Sequence, residues 1–137
     1  MRRRDPLSPS ERSTLMARIR AKNTGPELAV RKLVFSLGYR YRLHSADIPG
    51  KPDLVFPGRS KVIFVHGCFW HQHTCGRYSL PKSRTRFWKE KLDGNKRRDA
   101  KNVRRLRALG WRSLVLWECQ LRDLDKVARR IERFLND

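Results

Sequence analysis

Apolar positions along this chain come in short bursts whose period changes from one stretch to the next. Val30, Leu33, Val34 and Leu37 recur at three- and four-residue steps, the spacing of one helical face. Thr24, Gly25, Pro26 and Glu27 open that helix, and Gly38 stops it. An earlier helix over 8–22 is expected from Ser8 as cap, Pro9 at the first helical position and Glu11 three residues after the cap. Its apolar content is Leu15, Met16 and Ile19. Residues 39–43 alternate aromatic and basic side chains, as a strand with one wet face does. A turn-rich loop over 47–52 then delivers Asp53 onto a second strand over 53–56. Pro57, Gly58, Arg59 and Ser60 reverse the chain, as in a hairpin, into the apolar run Val62, Ile63, Phe64, Val65.

The second half reads as a long charged helical region over 85–109 with a thin seam of Val103, Leu106 and Leu109. Asp93, Gly94 and Asn95 interrupt it, predicting either two helices or a kink. Residues 111–117 predict a buried strand. Residues 124–135 predict an amphipathic helix whose face is Leu124, Val127, Ala128, Ile131 and Leu135. The order helix, helix, three strands, helix, strand, helix predicts an α/β fold class, a small mixed four-stranded sheet flanked by helices. One domain spans 1–137, opening on a basic flexible tail over 1–7.

Charge narrows the partner. With 33 Lys+Arg against 13 Asp+Glu, the formal net charge is +20, far beyond what solubility requires and most simply explained by a polyanion. Nucleic acid is favoured over membrane, because no long basic amphipathic helix with an aromatic face stands out. No apolar run approaches the roughly 20 residues of a membrane span, and no signal-peptide pattern opens the chain. Three cysteines grouped with histidines suggest metal in a reducing cytoplasm rather than a disulfide framework.

Residues 62–75, V-I-F-V-H-G-C-F-W-H-Q-H-T-C, concentrate the chemistry. A strand-like run ends in a turn that holds three of the four histidines, two of the three cysteines and two adjacent aromatics, Phe69 and Trp70. Cys68, His73 and Cys75, together with Cys119 at the end of the later strand, make a Cys₃His set suited to structural zinc. The alternative is buried free cysteines beside a surface histidine. Asp53, at a sheet end behind a loop of turn residues, is either an ordinary turn carboxylate or a ligand for Mg²⁺, an ion that needs few protein groups when phosphates and water complete its shell. His66 and His71 leave the adjacent strand and offer a general base. Glu27 and Asp99, read from helical pattern alone, belong to solvated faces.

The Pro52-Asp53 strand, H-G-C-F-W-H over 66–71, L-G-W-R-S-L-V-L-W-E-C over 109–119 and R-S-T-L-M over 12–16 resemble the very short patch repair (Vsr) endonucleases, across nearly the whole chain. The resemblance implies a restriction-endonuclease-like fold and a Mg²⁺-dependent nick 5′ to the thymine of T:G mismatches that arise from deamination of 5-methylcytosine. By position, Asp53 matches the Mg²⁺-binding aspartate, helped by the Val65 backbone carbonyl, and His71 matches the essential histidine. His66, Glu27 and Asp99 match supporting groups. Cys68, His73, Cys75 and Cys119 match structural Zn²⁺ ligands, and Met16, Phe69 and Trp70 match residues that wedge into the base stack. Implied partners are double-stranded DNA bearing the mismatch, with mismatch-repair proteins and a DNA polymerase downstream, for a bacterial, cytoplasmic, nucleoid-associated monomer. Val65 stands where the best-known members carry threonine: a role through the backbone carbonyl leaves it harmless, whereas a role for the hydroxyl would be lost. The E-x-K continuation of restriction enzymes is absent, its place taken by Phe64, Val65 and His66. Two rival readings are a related nuclease with another mismatch or lesion as target, and a non-catalytic zinc-dependent DNA-binding module.

Overall fold

A computed structural model describes residues 25–43, 47–71, 80 and 82–137. The expected tail over 1–7, the helix over 8–22 with Met16, and the loop carrying His73 and Cys75 lie outside the described residues. Within them the elements are α1 (Gly25–Ser36), β1 (Arg42–Leu43), β2 (Leu54–Phe56), β3 (Lys61–His66), α2 (Thr85–Ala108), β4 (Arg112–Trp117) and α3 (Leu124–Asn136). The strands form one mixed sheet in the order β1-β2-β3-β4. The β1–β2 and β2–β3 pairs are antiparallel, and β3–β4 is parallel, with His66 opposite Trp117.

β2 and β3 are buried at every position because helices cover both sides of the sheet. Alternation divides their side chains. Leu54, Phe56, Ile63 and Val65 join Leu116 against Val30 and Val34 of α1 and Val127, Ile131 and Leu135 of α3. Val55, Val62 and Phe64 point the other way, toward Ile48 and Leu106 of α2. This is a three-layer packing, and each fully buried aliphatic side chain in it is worth about 1.5–3 kcal/mol. No helix among the described residues is long and apolar enough to cross a membrane.

Three sequence expectations change. The strand over 39–43 shortens to two ladder residues, since Tyr39 and Tyr41 pack on the core beside it instead of pairing. Residues 111–117, read as a buried strand, give a strand over Arg112–Trp117 at the sheet edge, on which only Leu116 is fully buried. The interruption at Asp93, Gly94 and Asn95 does not occur: α2 runs unbroken for 24 residues. Its seam is also different, since Leu92 and Leu106 are buried whereas Leu109 is 63% exposed.

At the opening end of β3 the fold is tied to α3. Buried Lys61 donates from Nζ to the carbonyls of Phe134 (2.7 Å), Leu135 (3.3 Å) and Asp137 (2.6 Å), and Arg59 donates to that of Leu135 (2.8 Å). The last carbonyls of a helix have no partner within it and carry partial negative charge, so cations suit them.

Candidate active site

The β2–β3 ladder ends with the Asp53 amide donating to the Ile63 carbonyl at 3.1 Å. One step further along β3, the Val65 amide finds a side chain in place of a strand. Asp53 Oδ2 accepts it at 2.6 Å. In extended backbone, the N–H and C=O of one residue leave on the same side, so the Val65 carbonyl faces the Asp53 side as well. Glu27, in the first turn of α1, reaches the same carboxyl and hydrogen-bonds to it. Glu27 is itself buried, 3% exposed, and accepts from Arg31 Nη2 at 3.1 Å one helical turn later. Burial pushes the Asp53 carboxyl up to about 7; the Val65 amide pulls against this, Glu27 adds to it, and Arg31 lowers it. Two carboxyls in contact inside a protein share a proton readily, and a divalent cation removes the conflict.

His66 closes β3 and His71 lies five residues on, after the turn through Gly67. Their rings stack in parallel, with centroids 3.8 Å apart and planes 2° off. The Trp117 ring meets both edgewise, at 5.1 Å and 6.2 Å, because the parallel register sets it beside His66. His71 Nδ1 is hydrogen-bonded to Asp99 Oδ2 from α2. A carboxylate only accepts, so the pair keeps a proton on Nδ1 and leaves the Nε2 lone pair open. His66 is buried, and its Nδ1 has no hydrogen-bond partner among the described residues. Burial pulls its pKa down to about 4, with His71 lowering it further and Asp99 opposing. One ring of the stack can accept a proton; the other stays neutral.

Donor atoms of His66, His71 and Asp99 lie within 4.8 Å of one another, close enough for a shared metal ion by distance. Orientation opposes it. Imidazole lone pairs lie in the ring plane, and an ion shared by two stacked rings would sit well out of both planes. As arranged, the His71–Asp99 pair is suited to proton transfer, with neutral His66 stacked on it.

Beside them stands an aromatic wall. Phe69 and Trp70 pack edge to face at 5.1 Å, and Trp88 of α2 touches both, at 5.7 Å and 5.9 Å. Lys91 Nζ lies 5.6 Å from the ring centres of Trp70 and of Trp88. Asn95 donates to the Trp70 carbonyl at 3.1 Å, which pins the turn to the helix. Phe69, Trp70 and His71 remain half-buried. A cleft of about 930 Å³ collects Glu27, Asp53, Val65, His66, His71 and Asp99 on the same surface as Phe69 and Trp70.

This pattern of residues has known counterparts. The sequence pattern of the family described as DNA mismatch endonuclease Vsr matches residues 4–77. The chain is 51% identical over 132 residues to the type II nicking enzyme V.XorIIP of Xanthomonas oryzae pv. oryzae, covering 96% of this chain and 97% of that one. It is 41% identical over 133 residues to the type II nicking enzyme V.NmeAIP of Neisseria meningitidis, covering 97% and 95%. With the DNA mismatch endonuclease Vsr of Escherichia coli it shares 42% identity over 116 residues, covering 85% of this chain and 74% of the other. The chain belongs to the Vsr family. It is therefore a DNA endonuclease in class, a hydrolase whose substrate is DNA.

Of the residues expected to serve a Vsr-type site, Asp53, Glu27, Val65, His66, His71, Asp99, Phe69 and Trp70 converge on the one cleft. Glu27 and Asp99 do not belong to solvated faces as pattern alone suggested: Glu27 is buried against Asp53, and Asp99 is partly buried against His71. Cys68 is buried and Cys119 half-buried, at the ends of the paired strands β3 and β4. His73, Cys75 and Met16 lie outside the described residues. Trp88 and Lys91 went unread in the sequence, and Asn95 was read only as part of a helix interruption. The only signal for Trp88 was a tryptophan in an otherwise charged helix, which has no apolar stripe to receive it there.

Proposed function

We propose that this Vsr-family protein is a Mg²⁺-dependent, strand-specific endonuclease that nicks DNA 5′ to the thymine of T:G mismatches left by deamination of 5-methylcytosine. The observation that carries this reading is the cleft itself, where a buried carboxyl pair, a carboxylate-held imidazole and an aromatic wall stand together. The relatives, nicking enzymes and a mismatch endonuclease by name, agree with it. In this reading the core is restriction-endonuclease-like.

Asp53 and the Val65 carbonyl hold Mg²⁺. The fit rests on donor chemistry: a hard carboxylate lies against the Val65 backbone, and the carboxyl is raised to about 7 in a place where a cation would restore its charge. Bound there, the ion supplies neutralisation of charge developing on phosphate. His71 takes the proton from the attacking water at Nε2. Asp99 keeps the ring oriented and stabilises the imidazolium that results. His66 stays neutral beneath it, which keeps a second positive charge out of the stack. Phe69 and Trp70, pinned to α2, enter the base stack next to the mismatch, with Met16 as a further wedge. Unstacking costs a few kcal/mol per step and least at a weak pair, so the wedge favours T:G over a sound duplex.

Cys68, His73, Cys75 and Cys119 hold a structural Zn²⁺. Two of the four thiol and imidazole donors, Cys68 and Cys119, leave neighbouring parallel strands at the same end, which suits an ion joining the turn to β4. The basic surface, including Arg97, Lys101, Arg104 and Arg105 of α2, neutralises DNA phosphates.

The deciding experiment incubates duplexes carrying T:G or T:A in varied flanking sequence with protein and Mg²⁺ and maps the nick. A cut 5′ to the mismatched thymine, absent with T:A and with chelator, is the expected result. Binding without any nick would favour a non-catalytic module, and cutting at other mismatches would redirect the specificity.

A further inference from the structure

Among the described residues, three cationic side chains line the cleft: Lys51, Lys91 and Arg98. Lys91 lies over Trp70 and Trp88, and Arg98 donates to Asn95. The Lys51 side chain is exposed at the cleft and has no hydrogen-bond or ion-pair partner among the described residues.

Its backbone is unusual. Ile48, Pro49, Gly50 and Lys51 form a turn closed by the Lys51 amide on the Ile48 carbonyl at 3.2 Å, with Gly50 at φ +82°. Gly50 is pressed close to α2 and β3: a Cβ there would meet Asn102 Cβ at 3.0 Å and Phe64 at 3.2 Å. Lys51 follows in the left-handed region, φ +49°, ahead of Pro52, which disfavours the right-handed alternative. Glycine or asparagine ordinarily fills such a position. The turn thus holds a lysine where a residue without Cβ would sit more easily, and strain of this kind concentrates at functional sites.

The chemistry of the cleft gives that lysine a task. Asp53 and Glu27 already bring two acidic groups together, and a phosphodiester adds negative charge that grows as water attacks. β3 contributes Phe64, Val65 and His66 at this point, none of them a permanent cation. We propose that Lys51 is the phosphate-binding cation of the cleft, its ammonium contacting a non-bridging oxygen of a DNA phosphate beside Asp53. This rests on the reading of the cleft as an endonuclease site. The lysine holds the backbone in register and takes up part of the charge that develops on the phosphate.

Lys51→Gly, Lys51→Gln and Lys51→Arg test it, each measured for melting temperature, single-turnover nicking of a T:G duplex and the salt dependence of binding to that duplex. Lys51→Gly, which also relieves the left-handed constraint, is expected to melt no lower than wild type yet nick at least 10-fold more slowly. Lys51→Gln should lose nicking similarly, and Lys51→Arg should retain it to within about threefold. Loss of one phosphate contact makes the slope of log affinity against log salt shallower by about 0.9. A Lys51→Gly protein with wild-type nicking and an unchanged slope overturns the assignment. The slope is read from binding alone, so an unchanged slope counts against Lys51 whether or not nicking is seen. A wild-type protein that binds but never nicks counts against the endonuclease reading instead.

Discussion

At its first residue, β3 buries Lys61 and surrounds its ammonium with three main-chain carbonyls of the α3 terminus. At its last residue, the same strand buries His66 with one ring nitrogen lacking any hydrogen-bond partner among the described residues, next to a carboxyl raised by burial to about 7. Both ends lie in one strand sealed on both faces, so burial alone does not distinguish them. The difference is in satisfaction. The Lys61 end matches charge to opposite partial charge and gains stability. The His66 end collects groups whose preferred state is contradicted by their surroundings, and such groups stand ready to bind an ion or move a proton.

The comparison breaks most visibly in activity. Asp53→Ala and His71→Ala should each lower nicking of a T:G duplex by at least about 100-fold, the lower range for a lost general base, while melting temperature and duplex affinity hold or rise. Near-normal nicking by either variant would make the two ends equivalent after all. Lys61→Met should do the reverse. It strands buried carbonyls and is expected to cost about 3 kcal/mol in denaturant unfolding, with nicking per folded molecule unchanged.

A pH titration sharpens the contrast. Folded Asp53 holds its proton to about 7, whereas an unfolded aspartate releases it near its ordinary value of 3.8. The folded state therefore binds more protons in that window, and the Asp53 contribution to stability falls as pH rises through it. Measured as wild type minus Asp53→Asn, the loss between pH 4 and pH 8 should be about 2 kcal/mol, half the full linkage value to allow for partial solvation. Millimolar Mg²⁺ at pH 8 should raise the melting temperature of wild type and leave Asp53→Asn unmoved. His66 has the opposite sign. Its folded pKa of about 4 lies below the ordinary 6.5, so its contribution is lost as pH falls through that interval. The smallest effect concerns Gly94, in the middle of α2. A Cβ there meets only the guanidinium ends of Arg98 and Arg97, at 3.4 Å and beyond, so Gly94→Ala should stabilise by about 0.5–1 kcal/mol in thermal unfolding.

Much of this architecture was readable because its signals were local. Continuous apolar runs bounded by turn residues marked β2 and β3, and the face of α3 followed from its period. β4 misled because Leu114, Val115, Leu116 and Trp117 look the same in a central strand and in an edge strand lying on a helix; only neighbours decide. Gly94 read as a break since glycine disfavours helix, but tertiary packing of Leu92 and Leu106 outweighs a cost of about 1 kcal/mol. In the site, Asp53 and His71 were visible as chemistry-bearing residues at strand ends. The burial of Glu27 was not, because a glutamate in a first helical turn ordinarily faces water. It packs inside against a carboxyl that the sequence places 26 positions away, with Arg31 as its ion-pair partner.

The unbroken α2 also has a mechanical consequence. Trp88, in the aromatic wall, and Asp99, which holds His71, sit on one rod about 16 Å apart along its axis. Between them Asn95 grips the Trp70 carbonyl. A force that tilts the wall tilts the partner of His71 with it, as the two arms of a lever move together. The compliant point of that lever is Gly94, midway between the arms.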